Sequence, residues 1–458
     1  MNSVAIIGGG ITGLTAAFRM QQQGLPVTVY EASSRPGGVI QSVRQNGYLA
    51  EYGPNSLLET SPKIGALIRD AGLESRRLYS LPEAENRYLV RYGRTIALPK
   101  NPVRIFVSPL FSIRAKLALL MEPLGRRAPA NVEESVEQFV LRRLGREFLD
   151  YAINPLVSGI YAGDPARLSV PHAFPKLHAL EQRYGSLILG QILGARARKK
   201  SGEVSKQEAK KVSFDDGLQV LTDTLAARLG PAMLLDAPVL RIEETPQGWE
   251  IVARRNGQPV RGKHSAVLYT GTAHALSTIE VRCQHAPDLS PLAQVYYPPV
   301  ASIVLGFRRQ DVAHPLDGFG VLIPKVEKFS ILGTLFSSSL FPGRAPENHV
   351  TLTSYVGGVR HPELALHSAD ELINLTVQDL RRLLGIGGQP TFRHHRLYRR
   401  AIPQYEVGYG YYKKLMDDVE AKASGFFLAG HFRNGISLGD SIIAGLDVAG
   451  RVAAFAKR

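Results

Sequence analysis

Cysteine occurs once in 458 residues, at Cys283, which excludes an intramolecular disulfide and any cysteine-held metal cluster. No run approaches the ~18 consecutive apolar residues that a membrane-spanning helix needs. The first strand-like run opens at Val4, leaving no room for a signal or transit peptide ahead of it, so the expected compartment is cytoplasmic. Acids are in deficit. Against 55 lysines and arginines stand 40 aspartates and glutamates, a formal net charge of +15. That balance asks for an anionic partner: nucleic acid, an acidic membrane surface or a carboxylate-bearing substrate. Nucleic acid is the weakest of the three, since no binding motif accompanies the charge. Part of the excess lies in the charge-dense tract from Arg196 to Lys211, which reads as a solvated loop or frayed helix. The remaining composition, 44% hydrophobic and 21% charged, is that of a globular protein too long for one ordinary core. Two or three domains are expected.

What is present is a nucleotide fingerprint. Val4-Ala5-Ile6-Ile7 reads as a buried parallel strand, Gly8-Gly9-Gly10-Ile11-Thr12-Gly13 follows at once, and Leu14 to Met20 has helix-forming composition ending near Gly24. The first glycine allows a tight turn, the second lets backbone approach a pyrophosphate, and the third lets helix and strand pack closely. The phosphates would meet the free N–H groups at the helix N-terminus. A second strand, Val27 to Tyr30, ends in Glu31, eighteen residues after Gly13, where an acid is expected to hold a ribose hydroxyl. The spacing predicts a bound dinucleotide.

Past Glu31 come Arg35-Pro36-Gly37-Gly38 and then Tyr52-Gly53-Pro54-Asn55-Ser56. This order resembles the flavin amine oxidase and porphyrinogen oxidase superfamily, which implies FAD. Asn86-Arg87-Tyr88-Leu89, 154–165, Gly318 to Leu322, 332–346, Tyr355-Val356-Gly357-Gly358 and 435–440 are similar to the oxygen-dependent protoporphyrinogen oxidases of plants and many bacteria. The resemblance implies FAD contacts at Gly8, Gly9, Gly10, Ile11, Thr12, Gly13, Glu31, Ala32, Arg35, Gly38, Val39, Gly53, Pro54, Asn55, Ser56, Val239, Gly430, Ile436, Ser437 and Leu438. It implies substrate contacts at Arg87, pairing with a propionate; at Gly159, admitting the macrocycle; and at Leu322, Leu335 and Tyr355, sandwiching the pyrrole rings. Plant enzymes carry phenylalanine at the last position. Tyrosine keeps the stacking face and adds a hydroxyl that needs a partner if buried.

The implied fold is α/β and α+β: a discontinuous Rossmann-like FAD domain (1–86, 213–280 and 424–458), a mixed-sheet substrate domain (87–94 and 281–423) and a helical, membrane-associating domain (95–212). The residues themselves suggest a hairpin of 239–242 with 249–253, a strand at 266–270 and a closing helix over 441–456. They also suggest an amphipathic helix at 114–122 and another over 132–150 with Asn131 as cap and Val136, Phe139, Val140 and Leu144 inward. The 102–127 stretch reads either as a docked subdomain or as a membrane patch. In the second reading Phe106, Leu110 and Phe111 enter the lipid, and Arg104, Arg114, Lys116, Arg126 and Arg127 meet headgroups.

The implied chemistry is a six-hydrogen oxidation in three flavin turnovers, with dioxygen as acceptor and hydrogen peroxide released. No side chain is required as a base, no metal is implied, and His394, His395 and His431 read as structural. Coproporphyrinogen III is the nearest alternative substrate. An amine oxidase, a carotenoid desaturase and a non-catalytic flavin scaffold at a membrane are more distant readings. Expected partners are the porphyrinogen, dioxygen and an anionic membrane surface to which the protein attaches peripherally. Hand-over to a chelatase and a homodimer are left open.

Overall fold

The computed structural model describes residues 3–99, 106–125, 127–129, 132–191, 193, 209–285 and 287–457. Five parallel strands form its first sheet, in the spatial order Met233–Leu234, Val27–Tyr30, Val4–Ile7, Ala266–Tyr269, Phe426–Leu428. Strands buried on both faces need apolar side chains throughout, and every residue of Val4–Ile7 and of Ala266–Tyr269 is buried. Val4 and Ile6 face helices; Ala5 and Ile7 pack in a core shared with Trp249 and Ile251 of a four-stranded sheet. Trp249, the single tryptophan, is fully enclosed and donates its indole N–H to the Ser424 carbonyl at 3.1 Å. The hairpin expected around it is present as Val239–Thr245 and Gly248–Arg255.

Helix Ile11–Gln22 begins at the fingerprint and stops just before Gly24, whose φ of +78° ends it. It crosses the closing helix so tightly at Gly445 that an added Cβ would stand 2.6 Å from the Thr12 carbonyl oxygen. That closing helix runs Leu438–Ala456, three residues longer at its start than the sequence suggested. Ser437 caps it, accepting from Asp440 N–H, while the Asp440 carboxylate accepts from Ser437 N–H.

The second large sheet has seven strands in the order Phe392–Tyr398, Val300–Arg308, His349–Gly357, Ile331–Phe336, Gly318–Leu322, Asn86–Arg91, Arg94–Ala97. It is mixed: only Gly318–Leu322 and Asn86–Arg91 run parallel. Ile303, Leu305, Val321 and Ile331 on one face pack with helix Ala369–Leu384. The other face is covered in part, Val304 packing with Tyr48 and Tyr52, and its half-buried residues are left for a site.

Three expectations need correction. The helix read over 132–150 is shorter, Val136–Arg143, because Gly145 at φ +83° interrupts it. Its cap is Ser135 in a capping box with Gln138, whereas Asn131 lies outside the described residues. Leu110 and Phe111 do not reach solvent: both are buried, Phe111 stacked on Phe148 at 4.3 Å. Arg104 and Arg126 lie outside the described residues, as does 196–208 of the charged tract. The end of that tract is no solvated loop either. Lys210–Phe214 is a strand between Leu57–Glu59 and Arg77–Tyr79, drawn in by Val212 and Phe214, which are fully buried.

Candidate active site

This other face of the seven-stranded sheet is legible from its register, because residues directly opposite in neighbouring strands share a face. One row runs Arg87, Gly320, Leu335, Thr353, Val304, His394; the next runs Leu89, Leu322, Gly333, Tyr355, Ser302, Arg396. Four of the five expected substrate residues therefore stand on one platform. The fifth, Gly159, comes from helix Asn154–Tyr161 and meets it from across: a Cβ there would lie 2.6 Å from Leu322 Cδ2. Leu156 and Ile160 beside it are partly exposed, so that helix presents an apolar edge.

The Tyr355 hydroxyl has the partners its burial requires. Asn55 Nδ2 donates to it at 2.7 Å, and it donates to the Gly53 carbonyl at 3.3 Å. Burial pushes the phenol well above its ordinary value, so it stays protonated. Ser337 joins Asn55 to Thr353 beneath it. The Gly53–Ser56 turn is thus tied to the platform.

Arg87 is half-buried, and among the described residues its guanidinium has no carboxylate partner. Burial lowers its proton affinity without a compensating charge. Arg360, missed by sequence reading, is enclosed more deeply and held down to about 10 by burial. It donates to Asn154 Oδ1, to Ser158 Oγ and to the Ile323 carbonyl, pinning the Gly159 helix to the end of the platform strand.

His394 stacks on Tyr52 with ring centroids 3.7 Å apart, and burial, then its neighbours' charge, depress it to about 4. His431, partly buried beside Tyr297, is likewise held at about 4 by burial. A base with a lowered pKa stays neutral until the pH falls to that value, so neither ring titrates between pH 6 and 8. Neither ring is expected to put an inflection in the kcat/KM profile over that range. An inflection near 6.5 that His431→Gln abolishes would contradict it.

The fingerprint offers the second half of the site. Each glycine has its own reason. Gly8 turns at φ +109°; at Gly13 a Cβ would fall 2.0 Å from the Gly8 carbonyl oxygen; at Gly10 a Cβ would meet nothing within 4 Å. Space is therefore kept open in front of a helix N-terminus that no side chain caps, which suits a pyrophosphate. Glu31 sits at the rim, its two oxygens accepting from Gly9 N–H at 2.6 Å and Ser33 N–H at 2.8 Å. Ala32 follows it in the exposed turn, and Ala237, two residues before Val239, donates to the Glu31 carbonyl.

Arg35 turns inward. Its guanidinium donates to the carbonyls of Pro36, Gly38 and Ile40, which shapes the glycine loop instead of offering a free donor. A Cβ at Gly38 would lie 3.5 Å from Gly10 Cα, and Val39 stands exposed with its carbonyl hard against Gly53. Pro54 continues the turn toward Asn55 and Ser56. At the C-terminal side Gly430, at φ +131°, donates its N–H to Asn434 Oδ1, and Ile436 and Ser437 lead into the closing helix at Leu438. Thr270 is a residue sequence reading missed: its hydroxyl donates to the carbonyls of Ile7 and Gly8 and locks the turn. A threonine ending an apolar strand gave no signal of that role.

A cradle for a dinucleotide and a largely apolar platform carrying Arg87, which has no carboxylate partner among the described residues, are the features a flavoenzyme acting on a planar anion would need. The family model described as flavin-containing amine oxidoreductase matches residues 11–453. Protoporphyrinogen oxidase 2 of Arabidopsis thaliana is 36% identical, over 99% of this chain and 94% of its own. Coproporphyrinogen III oxidase of Bacillus subtilis is 29% identical, over 96% of each. A solved structure from Exiguobacterium sp. 255-15, provisionally described as a protoporphyrinogen oxidase, superimposes with a TM-score of 0.81 over 99% of this chain and 98% of its own, and at 24% identity it speaks for the fold alone. The chain is an FAD-dependent oxidoreductase and belongs to the flavin-containing amine oxidoreductase family, on the branch that holds the protoporphyrinogen oxidases.

Proposed function

We propose that this protein oxidises protoporphyrinogen IX to protoporphyrin IX with dioxygen as acceptor. The observation that carries the reading is the shared face of Arg87, Leu322, Leu335 and Tyr355 opposite Gly159. Leu322 and Leu335 offer apolar surface and Tyr355 a ring to the macrocycle, with its hydroxyl turned away onto Asn55 and Gly53. Gly159 keeps the opposite wall low, and Arg87 takes a propionate in the bidentate geometry that a guanidinium favours. The residues placed around the fingerprint, from Gly8 to Glu31, from Gly38 to Ser56 and from Gly430 to Leu438, hold the cofactor. When bound, FAD supplies a two-electron acceptor that dioxygen regenerates with release of hydrogen peroxide, so removing six hydrogens takes three rounds. No general base is assigned to the protein: His394 and His431 are weak bases held at about 4 by partial burial, and the pyrrole proton leaves to water. The three-part division of the chain given above is part of the same proposal.

Kinetics on two porphyrinogens test it. Arg87→Ala should cost about 1.5–3 kcal/mol in kcat/KM on protoporphyrinogen, the range for a hydrogen bond to a charged group, mostly through KM. A wild-type specificity constant higher for coproporphyrinogen III would transfer the assignment to the four-carboxylate substrate. Unchanged kinetics in the alanine variant would remove Arg87 from the site.

Among the described residues no helix is long and apolar enough to cross a membrane. Helix Ile113–Met121 nonetheless exposes a stripe of Ile113, Leu117, Leu120 and Met121, continued by Leu124 and by Val107 at 82% exposed. Arg114 and Arg127 flank it in solvent. This stripe, in place of Leu110 and Phe111, is the proposed peripheral contact with an anionic membrane surface on the cytoplasmic side. Flotation should be stronger with anionic than neutral liposomes, weaken as salt shortens the ~8 Å physiological Debye length, and drop in Leu117→Glu. Equal flotation under all these conditions would refute the contact.

A further inference from the structure

The strand Lys210–Phe214 brings an unexpected cation to the Phe319 bulge at the side of the platform. Lys211 pairs with Leu58 on one side, and its Nζ stands 5.6 Å from the centre of the Phe319 ring. Phe319 is the extra residue of a bulge in the parallel ladder: Gly318 pairs with Asn86 and Gly320 with Arg87, leaving Phe319 between them. Lys211 and Arg87 therefore approach the same short stretch from two sides. Each is half-buried, and among the described residues neither has an ion-pair partner. Burial lowers the proton affinity of Lys211, the positive charge of Arg87 lowers it further, and Glu85 offsets part of this.

Two half-buried like charges whose repulsion a nearby carboxylate only partly offsets destabilise a fold. Placing an anion against both would reverse the sign of that contribution. We propose that Lys211 and Arg87 form a two-cation clamp for two neighbouring carboxylates of the tetrapyrrole substrate, Arg87 gripping one through its planar fork and Lys211 meeting the other as a point charge. The clamp rests on the porphyrinogen reading above and sharpens it, because two adjacent cations fit a substrate with two adjacent carboxylates. Coproporphyrinogen would leave two further carboxylates against the apolar platform.

The test uses FAD-loaded wild type, Lys211→Met, which keeps an unbranched apolar stem, and Lys211→Arg. Each is assayed on protoporphyrinogen and on its dimethyl ester, and titrated with the porphyrin product by fluorescence. Lys211→Met should raise KM and the porphyrin Kd for the diacid by about tenfold, at the lower end for a charge-assisted hydrogen bond. Its kcat should stay within about twofold, and Lys211→Arg should restore most of the loss. The ester should not distinguish the three proteins. If Lys211→Met fails to fold, Lys211→Gln gives the same readout. A wild type that oxidises no porphyrinogen overturns the function and the clamp together. A wild type that does, with an unchanged lysine variant or with equal loss on acid and ester, overturns the clamp alone.

Discussion

Gly10→Val will purify folded and colourless. The substitution separates two roles that the fingerprint glycines share in most arguments. Gly10 has φ −73° and ψ 177°, an extended backbone that valine adopts readily, and a Cβ there meets no atom of the protein within 4 Å. The chain itself therefore tolerates the side chain. On the proposed placement of the cofactor the pyrophosphate would not, because that open space would be its approach to the helix N-terminus. Apparent FAD affinity should fall on the order of 10³-fold, about 4 kcal/mol. The checks are the flavin absorbance ratio after purification and an unchanged far-ultraviolet circular dichroism spectrum. Melting should fall only by what bound FAD contributes through linkage, and excess FAD should not raise it. Full FAD occupancy would show that the phosphates lie elsewhere. Gly13→Ala is the contrasting case. Its Cβ would sit 2.0 Å from the Gly8 carbonyl, so strand and helix must part and the fold itself should suffer.

The second large effect concerns Arg143, beneath the helices that carry Gly159. Its side chain is completely enclosed, its Nε donates to Glu181 at 2.6 Å, and its guanidinium also pairs with Glu122 at 3.5 Å. Glu122 is buried too, accepting from Ser186 Oγ and from Leu187 N–H, and Glu181 is shared with Arg142. Arg143→Met would leave buried Glu122 without a cation and Glu181 with Arg142 alone. Breaking a buried pair from one side costs about 3–5 kcal/mol, since the abandoned charge keeps its desolvation penalty. The expected result is a markedly lower urea midpoint and faster proteolysis between 106 and 191. Adding Glu122→Gln should recover part of the loss, as coupled residues are not additive. A loss below about 1 kcal/mol would show that water or relaxation reaches these carboxylates.

How far the site could be read beforehand differs from residue to residue. Gly8, Gly10, Gly13 and Glu31 lie within one strand-turn-helix-strand unit, so their relation follows from local spacing. Arg87, Leu322, Leu335 and Tyr355 are scattered over 269 positions of the sequence, and only resemblance to a family joined them. Register then put them on one face. Arg360 and Thr270 carried no pattern at all: a lone arginine after a strand and a threonine ending one are ordinary residues until their neighbours are known. Leu110 and Phe111 were misplaced because apolar bulk beside arginines looks the same whether it faces lipid or a partner such as Phe148.

The sequence by itself determined the elements whose physics is local. A run of β-branched residues, three glycines and an acid eighteen residues on specify a dinucleotide cradle whatever surrounds them, and the scarcity of cysteine and of long apolar runs removes whole classes of protein. Tertiary structure alone decided what depends on contacts between distant segments. Lys211 reads as solvated charge when only its lysine neighbours are known. It is half-buried beside Arg87 because Val212 and Phe214, on the same strand, must be covered by Leu57 and its neighbours. Burying those two side chains is favourable by about 25 cal/mol per Å² of apolar surface, and the lysine is carried in with them.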